Sequence, residues 1–193
     1  MYNLAGLAFE VTHDTPPAIT ADLAIVAGLF FAMRFCKNTT TPQPENSKTV
    51  DMRGVTFLNV NKREIPQSHP CLAFAVYITL LFAAQKNGDK NAWRTQKCTD
   101  DPVMCPVRQA ALLIERIRHL VPGFSGERTI NAYAQKSVKG FLILQLASGY
   151  LRQQLRYTCA TLGGKDTFGF SGMDIGTKSI GSGAAMGLFL AKH

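Results

Sequence analysis

The sequence predicts an α+β domain, mainly helical, built around a small antiparallel three-stranded sheet. Three observations lead there. The run 74–83 is rich in β-branched and aromatic residues, and Asn87-Gly88 separates it from a second run, 91–98, a short-range signal for a hairpin. The segment 105–121 repeats its apolar residues at helical spacing. The chain has 193 residues, 46% of them apolar, enough for one domain with a buried core.

The elements follow in chain order. Residues 1–19 read as an N-terminal segment ending near Pro16-Pro17, and 20–193 as the domain proper. Thr20 is placed to cap a helix over 21–36, with Leu23, Val26, Ala27, Phe30 and Phe31 on one buried face. Residues 37–54 form a polar loop. A strand over 54–60 turns Val55 and Phe57, and with them Val60, inward. A loop over 61–71 contains Pro66 and Pro70. The hairpin follows, with Trp93 expected to pack inward from the return strand, and Asp100-Asp101-Pro102 breaks it. In the helix 105–121, Val107, Ala111, Leu112, Ile114 and Ile117 make the apolar side and Arg108, Arg116 and Arg118 the polar side; Pro122-Gly123 ends it. Residues 129–133 read as a short strand. Ser148 is placed to cap a helix running to Leu162, stopped by Gly163-Gly164. Ser171 and Asp174 lead into a last helix over 179–191.

Charge and cysteine content narrow the function. The net charge is +8, with +2 on residues 1–100 and +6 on 101–193. A basic half suits a polyanion, because cation–phosphate contacts release counterions. The five cysteines, Cys36, Cys71, Cys98, Cys105 and Cys159, form no Cys-x-x-Cys pair and no zinc spacing with a histidine. They read as reduced, mostly buried thiols of an intracellular protein, with no metal and no cofactor expected. The longest uncharged apolar run, 23–33, is short of the roughly 20 residues a bilayer helix needs. No basic segment precedes an apolar one at the N-terminus, which argues against a signal peptide.

The stretch 174–191, DIGTKSIGSGAAMGLFLA, resembles the segment of the tyrosine recombinase (phage integrase) family that usually reads GTHSIRSGAAM. FFAMRFCK (30–37) resembles the segment in which the family's first catalytic arginine ends a helix, QKNGDK (85–90) its lysine-bearing hairpin, and DDPVMCPVR (100–108) the link to the next helix. The order of helix, small sheet and further helices is also that of the family's catalytic domain. The resemblance covers about residues 20–193 and implies DNA strand breakage and rejoining, in integration or site-specific recombination.

On that resemblance, Arg34 takes the place of the first arginine, although Lys37 stands where a glutamate usually follows. Lys86 takes the place of the catalytic lysine, with Lys90 as a competing assignment. Lys178 and Gly181 stand at the two positions of the His-x-x-Arg pair. A lysine there holds phosphate but does not shuttle protons near neutral pH as imidazole does. A glycine cannot supply the bidentate fork that stabilises transition-state charge, a loss that typically costs about 10²–10³ in rate. None of the tyrosines Tyr2, Tyr77, Tyr133, Tyr150 and Tyr157 fits the nucleophile position, which in the family lies beyond this helix. The chain therefore reads as a degenerate recombinase domain from a mobile element, lacking its C-terminal tyrosine segment. It is expected to bind double-stranded DNA through Arg34, Lys86 and Lys178 without cutting it. A homo-oligomer on DNA and, in a eukaryote, a nuclear location go with that reading. A non-catalytic DNA-binding or interaction module and a non-functional fragment stand as alternatives.

Other motifs fail on their own requirements. SIGSGAAMG lacks the last glycine of a dinucleotide fingerprint and the βαβ unit around it. GGKDT lacks the first glycine and the hydroxyl residue of a phosphate loop. GFSGM lacks the second glycine of a nucleophile elbow. His13, His69, His119 and His193 show no ligand spacing.

Overall fold

The computed structural model describes residues 50–84, 90–102, 104–120, 129–137 and 140–176. Their architecture is α+β, with two antiparallel sheets. The larger sheet has four strands in the order β2-β1-β3-β4: β1 (Val55–Leu58), β2 (Glu64–Ile65), β3 (Tyr77–Ala84) and β4 (Lys90–Lys97). The smaller sheet is a hairpin of β5 (Ala132–Ser137) and β6 (Gly140–Gln145). Three α-helices accompany them: α1 (Pro106–Leu120), α2 (Ser148–Thr161) and α3 (Gly164–Phe168). The expected three-stranded sheet is thus a four-stranded sheet with a separate hairpin. The expected helices over 21–36 and 179–191 lie outside the described residues.

Register decides which side of the large sheet is core. Phe57 pairs with Ile78 and with Ile65, and Val55 pairs with Leu80. Val55, Phe57, Ile78, Leu80 and Phe82 are all buried on this side. The alternate residues, Thr56, Leu58, Tyr77, Leu81, Trp93, Thr95 and Lys97, lie on the outer face, since neighbouring side chains in a strand point to opposite sides. Trp93 pairs with Leu81 there and is 48% exposed, so it does not pack inward as expected. Val60, at 69% exposure, also departs from the inward reading: β1 ends at Leu58, and Asn59 turns the chain. The Asn59 side-chain oxygen accepts from the backbone N–H groups of Asn61 (2.9 Å) and Arg63 (3.0 Å). Lys62 sits at φ 58° in that turn. This turn brings Glu64 and Ile65 back onto β1, so the expected loop over 61–71 contains a strand. Phe74 is 80% exposed in a short 3-10 turn, and β3 begins three residues later, at Tyr77.

Helix α1 covers the core side of the sheet. Pro106 opens it, where a missing N–H costs nothing, and the Gln109 N–H bonds the Cys105 carbonyl at 3.1 Å. The link from β4 is knotted by the Thr99 hydroxyl, which donates to the carbonyls of Asp101 and Met104. The Asp101 carboxylate accepts from the Met104 N–H. Val107, Ala111, Leu113, Ile114 and Ile117 are buried; Leu112 is half-buried, and Leu113 takes the inner place expected of it. Arg116, read as polar surface, is 5% exposed. The helix touches β3, β4, β5 and the 72–74 turn, so it is enclosed on more than the single face a 3.6-residue period suggests. Arg118 donates to the Gln67 carbonyl at 2.5 Å, and the Gln67 amide donates to the carbonyls of Met52 and Val55. These bonds fasten the 66–71 loop between helix and sheet.

The second hairpin joins the core through its root. Thr129 bridges Asp51, and the Ile130 N–H bonds the Val50 carbonyl at 3.0 Å. The short strand expected over 129–133 is therefore an isolated bridge, followed by a strand that starts at Ala132. Asn131 is fully buried; it accepts from the Thr129 hydroxyl (2.6 Å) and donates to the Leu146 carbonyl (3.3 Å), so its polar groups are matched inside the core. Helix α2 buries Leu151, Leu155 and Cys159, each four residues from the next. Its N-cap is Ala147, without a side-chain bond, and Ser148 is the first helical residue rather than the cap. Gly163, at φ 99°, ends the chain segment that follows α2 in the left-handed region. Among the described residues, no helix is long and apolar enough to cross a membrane.

Candidate nucleic-acid interface

Arg34, Lys86, Lys178 and Gly181 lie outside the described residues, as does Tyr2. What is described is the framework on either side of two of these positions. Lys86 falls in the connection of the β3–β4 hairpin, whose ladder runs from Tyr77↔Lys97 to Ala84↔Lys90. Lys90, the competing assignment, is the first residue of β4. The chain thus enters and leaves the Lys86 segment on paired strands anchored to the core by Ile78, Leu80 and Phe82. β4 closes the large sheet at one edge and carries Lys90, Arg94 and Lys97 with no acidic residue.

The approach to Lys178 is held by α2. The Arg156 guanidinium donates to the carbonyls of Met173 (3.1 Å) and Ile175 (3.2 Å). A Cβ on Gly172 would lie 2.7 Å from the Arg156 carbonyl oxygen, so only glycine lets the two backbones approach this closely. Ser171 and Asp174 form a capping box around the intervening 3-10 turn. The Asp174 carboxylate accepts from the Ser171 N–H (2.8 Å) and hydroxyl (2.9 Å). The backbone bond first, then the hydroxyl bond, and to a lesser degree the Lys165 charge hold its pKa below the usual carboxylate value. A depressed pKa in the folded chain means that the box is at full strength above the ordinary carboxylate pKa. It is lost as pH falls through the lowered folded value. Ser171 and Asp174 close this turn, and the helix over 179–191 that they are expected to lead into lies outside the described residues.

Gly172→Ala is expected to push this strap off α2, an overpacking cost of about 1–3 kcal/mol. Hydrogen exchange should speed up at the Asp174 and Ile175 amides and leave α1 unchanged. Unaltered exchange would show that the strap does not depend on the close approach.

The described tyrosines differ in their surroundings. Tyr133 and Tyr150 lie against the core, Tyr77 sits on the outer face of β3, and Tyr157 is exposed on α2. Burial, and secondarily Tyr133, raises the Tyr150 pKa above the ordinary phenol value. That is the opposite of the shift that activates a nucleophile. Of the described thiols, Cys105 and Cys159 are buried, Cys98 is half-buried and Cys71 is exposed; Cys36 lies outside the described residues. Sequence reasoning missed Arg156 and Gly172. A side chain that bonds backbone carbonyls 17 and 19 residues away leaves no local pattern in the sequence. Comparison with protein-family models, with curated proteins and with solved structures found no match.

Proposed function

We propose that this chain is a double-stranded-DNA-binding domain of tyrosine recombinase ancestry that holds DNA without cleaving it. The observation that carries the reading is the run of elements around the hairpin. The β3–β4 hairpin at one side of the large sheet has Lys86 in its connection, and an Asp-rich link with a Cys-Pro start leads into a long amphipathic helix. This is the sequence of parts in which the family presents its lysine. The +6 charge on residues 101–193 supports a polyanionic partner. Arg34, Lys86 and Lys178 serve as phosphate contacts in this reading. Gly181 removes the fork that would stabilise the transition state. Duplex DNA is the partner, and assembly of several copies along it is part of the same proposal.

Two measurements test it. Fluorescence anisotropy with a labelled duplex at about 50 mM salt should show binding that weakens sharply by about 200 mM. A nicked suicide substrate should yield no covalent protein–DNA adduct on a denaturing gel. Salt-independent binding, or no binding, would overturn the DNA assignment. A trapped adduct would overturn the loss of cleavage.

A further inference from the structure

We infer that the outer face of β4 is a contact strip for single-stranded DNA, with Trp93 stacking on an unpaired base and Lys97 meeting the backbone. Trp93, Thr95 and Lys97 alternate along this edge strand and are all exposed, so the three side chains stand in one row about 7 Å apart. The Arg94 guanidinium folds back to the Trp93 carbonyl at 2.9 Å; Arg94 pairs with Leu80 and so belongs to the other side of the strand from this row. The Thr79 and Thr95 hydroxyls bond at 2.8 Å and tie this row to β3. A half-exposed indole on a pleated strand offers an open π-face. Bases within a duplex already stack on one another, so an unpaired strand is what such a face fits.

Charge selects this occupant over a second copy of the chain. Two β4 edges paired antiparallel about Arg94, with like faces on one side, would place Arg94 opposite its own copy, and like charges directly opposite oppose pairing. A polyanion meets the same cations favourably. The choice of DNA over RNA rests on the function proposed above; the stacking strip rests on β4 alone.

Trp93 is the single tryptophan of the chain, so its emission reports this face and nothing else. Titration of the full chain with a 15-mer of thymidylate at low salt should quench that emission, and a blunt duplex of equal length should bind with little quenching. By labelled-oligonucleotide anisotropy, Trp93→Ala should bind the single strand roughly tenfold more weakly, with duplex affinity unchanged. Trp93→Phe should restore most of the loss. Lys97→Ala, which leaves the indole in place, should require more DNA for the same final quenching. Unquenched emission at saturating thymidylate, or a Trp93→Ala variant that binds like the parent, would overturn the strip. Stronger quenching by the uridylate 15-mer would overturn its assignment to DNA. Duplex binding without single-strand quenching would leave the proposed function standing and this strip refuted. Single-strand quenching without duplex binding would do the reverse.

Discussion

Replacing Arg34 and Lys86 together by alanine is expected to abolish most of the salt dependence of duplex binding. Each neutralised phosphate adds about −0.9 to the slope of log K against log salt, so three contacts through Arg34, Lys86 and Lys178 give a slope near −2.7. A rise from about 50 to 200 mM salt should then weaken the parent chain about 40-fold. With Lys178 alone remaining, the same change should cost only about three- to fourfold. Anisotropy titrations at four salt concentrations measure both slopes. Lys178→Ala by itself should lower the slope by about one. A double variant that keeps the parental slope would mean that the phosphate contacts are made elsewhere, for which the cations of β4 are the next candidates.

Phe57→Ala should have the largest effect on stability. Phe57 is fully buried on β1, paired on one side with Ile65 and on the other with Ile78. Strands on both sides and full burial in the hydrophobic core leave little room for the surroundings to collapse into the space vacated. A loss of about 3–5 kcal/mol is expected, against a typical total of about 5–15 kcal/mol for a domain. Urea unfolding followed by circular dichroism should show a much lower midpoint, and Phe57→Leu a smaller shift. Because β1 lies next to β3, the hairpin arm should lose order as well, and DNA affinity should fall with it. A Phe57→Ala midpoint within error of the parent would contradict the central place assigned to this side chain.

The parts legible in the sequence are those whose signal is local. β1, the β3–β4 hairpin, α1 and α2 each follow from spacing or turn chemistry within their own residues, and all four are present near the expected bounds. The parts that were not legible depend on partners distant in the chain. β2 is two residues long and exists because Asn59 turns it back onto β1. β5 and β6 are held by each other and by the Thr129–Asp51 bridge, and residues 132–145 show little alternation of their own. Arg116 looks like surface on a helical wheel and is enclosed because α1 has neighbours on several sides. Trp93 was read as a packing residue on composition, and its parity along β4 assigns it to the outer face. For the site, the hairpin that carries Lys86 was legible, whereas the hold of Arg156 on the strap before Lys178 was not.

The pairing parity of β4 has a consequence for how this chain can drift. Inserting or deleting one codon within Lys90–Lys97 would turn the rest of the strand over, sending Trp93 or Lys97 to the side of Ile78 and Leu80, where Arg94 and Gln96 now pair with them. Length changes in the connecting segments carry no such inversion. A single slipped triplet in β4 therefore cannot stay silent.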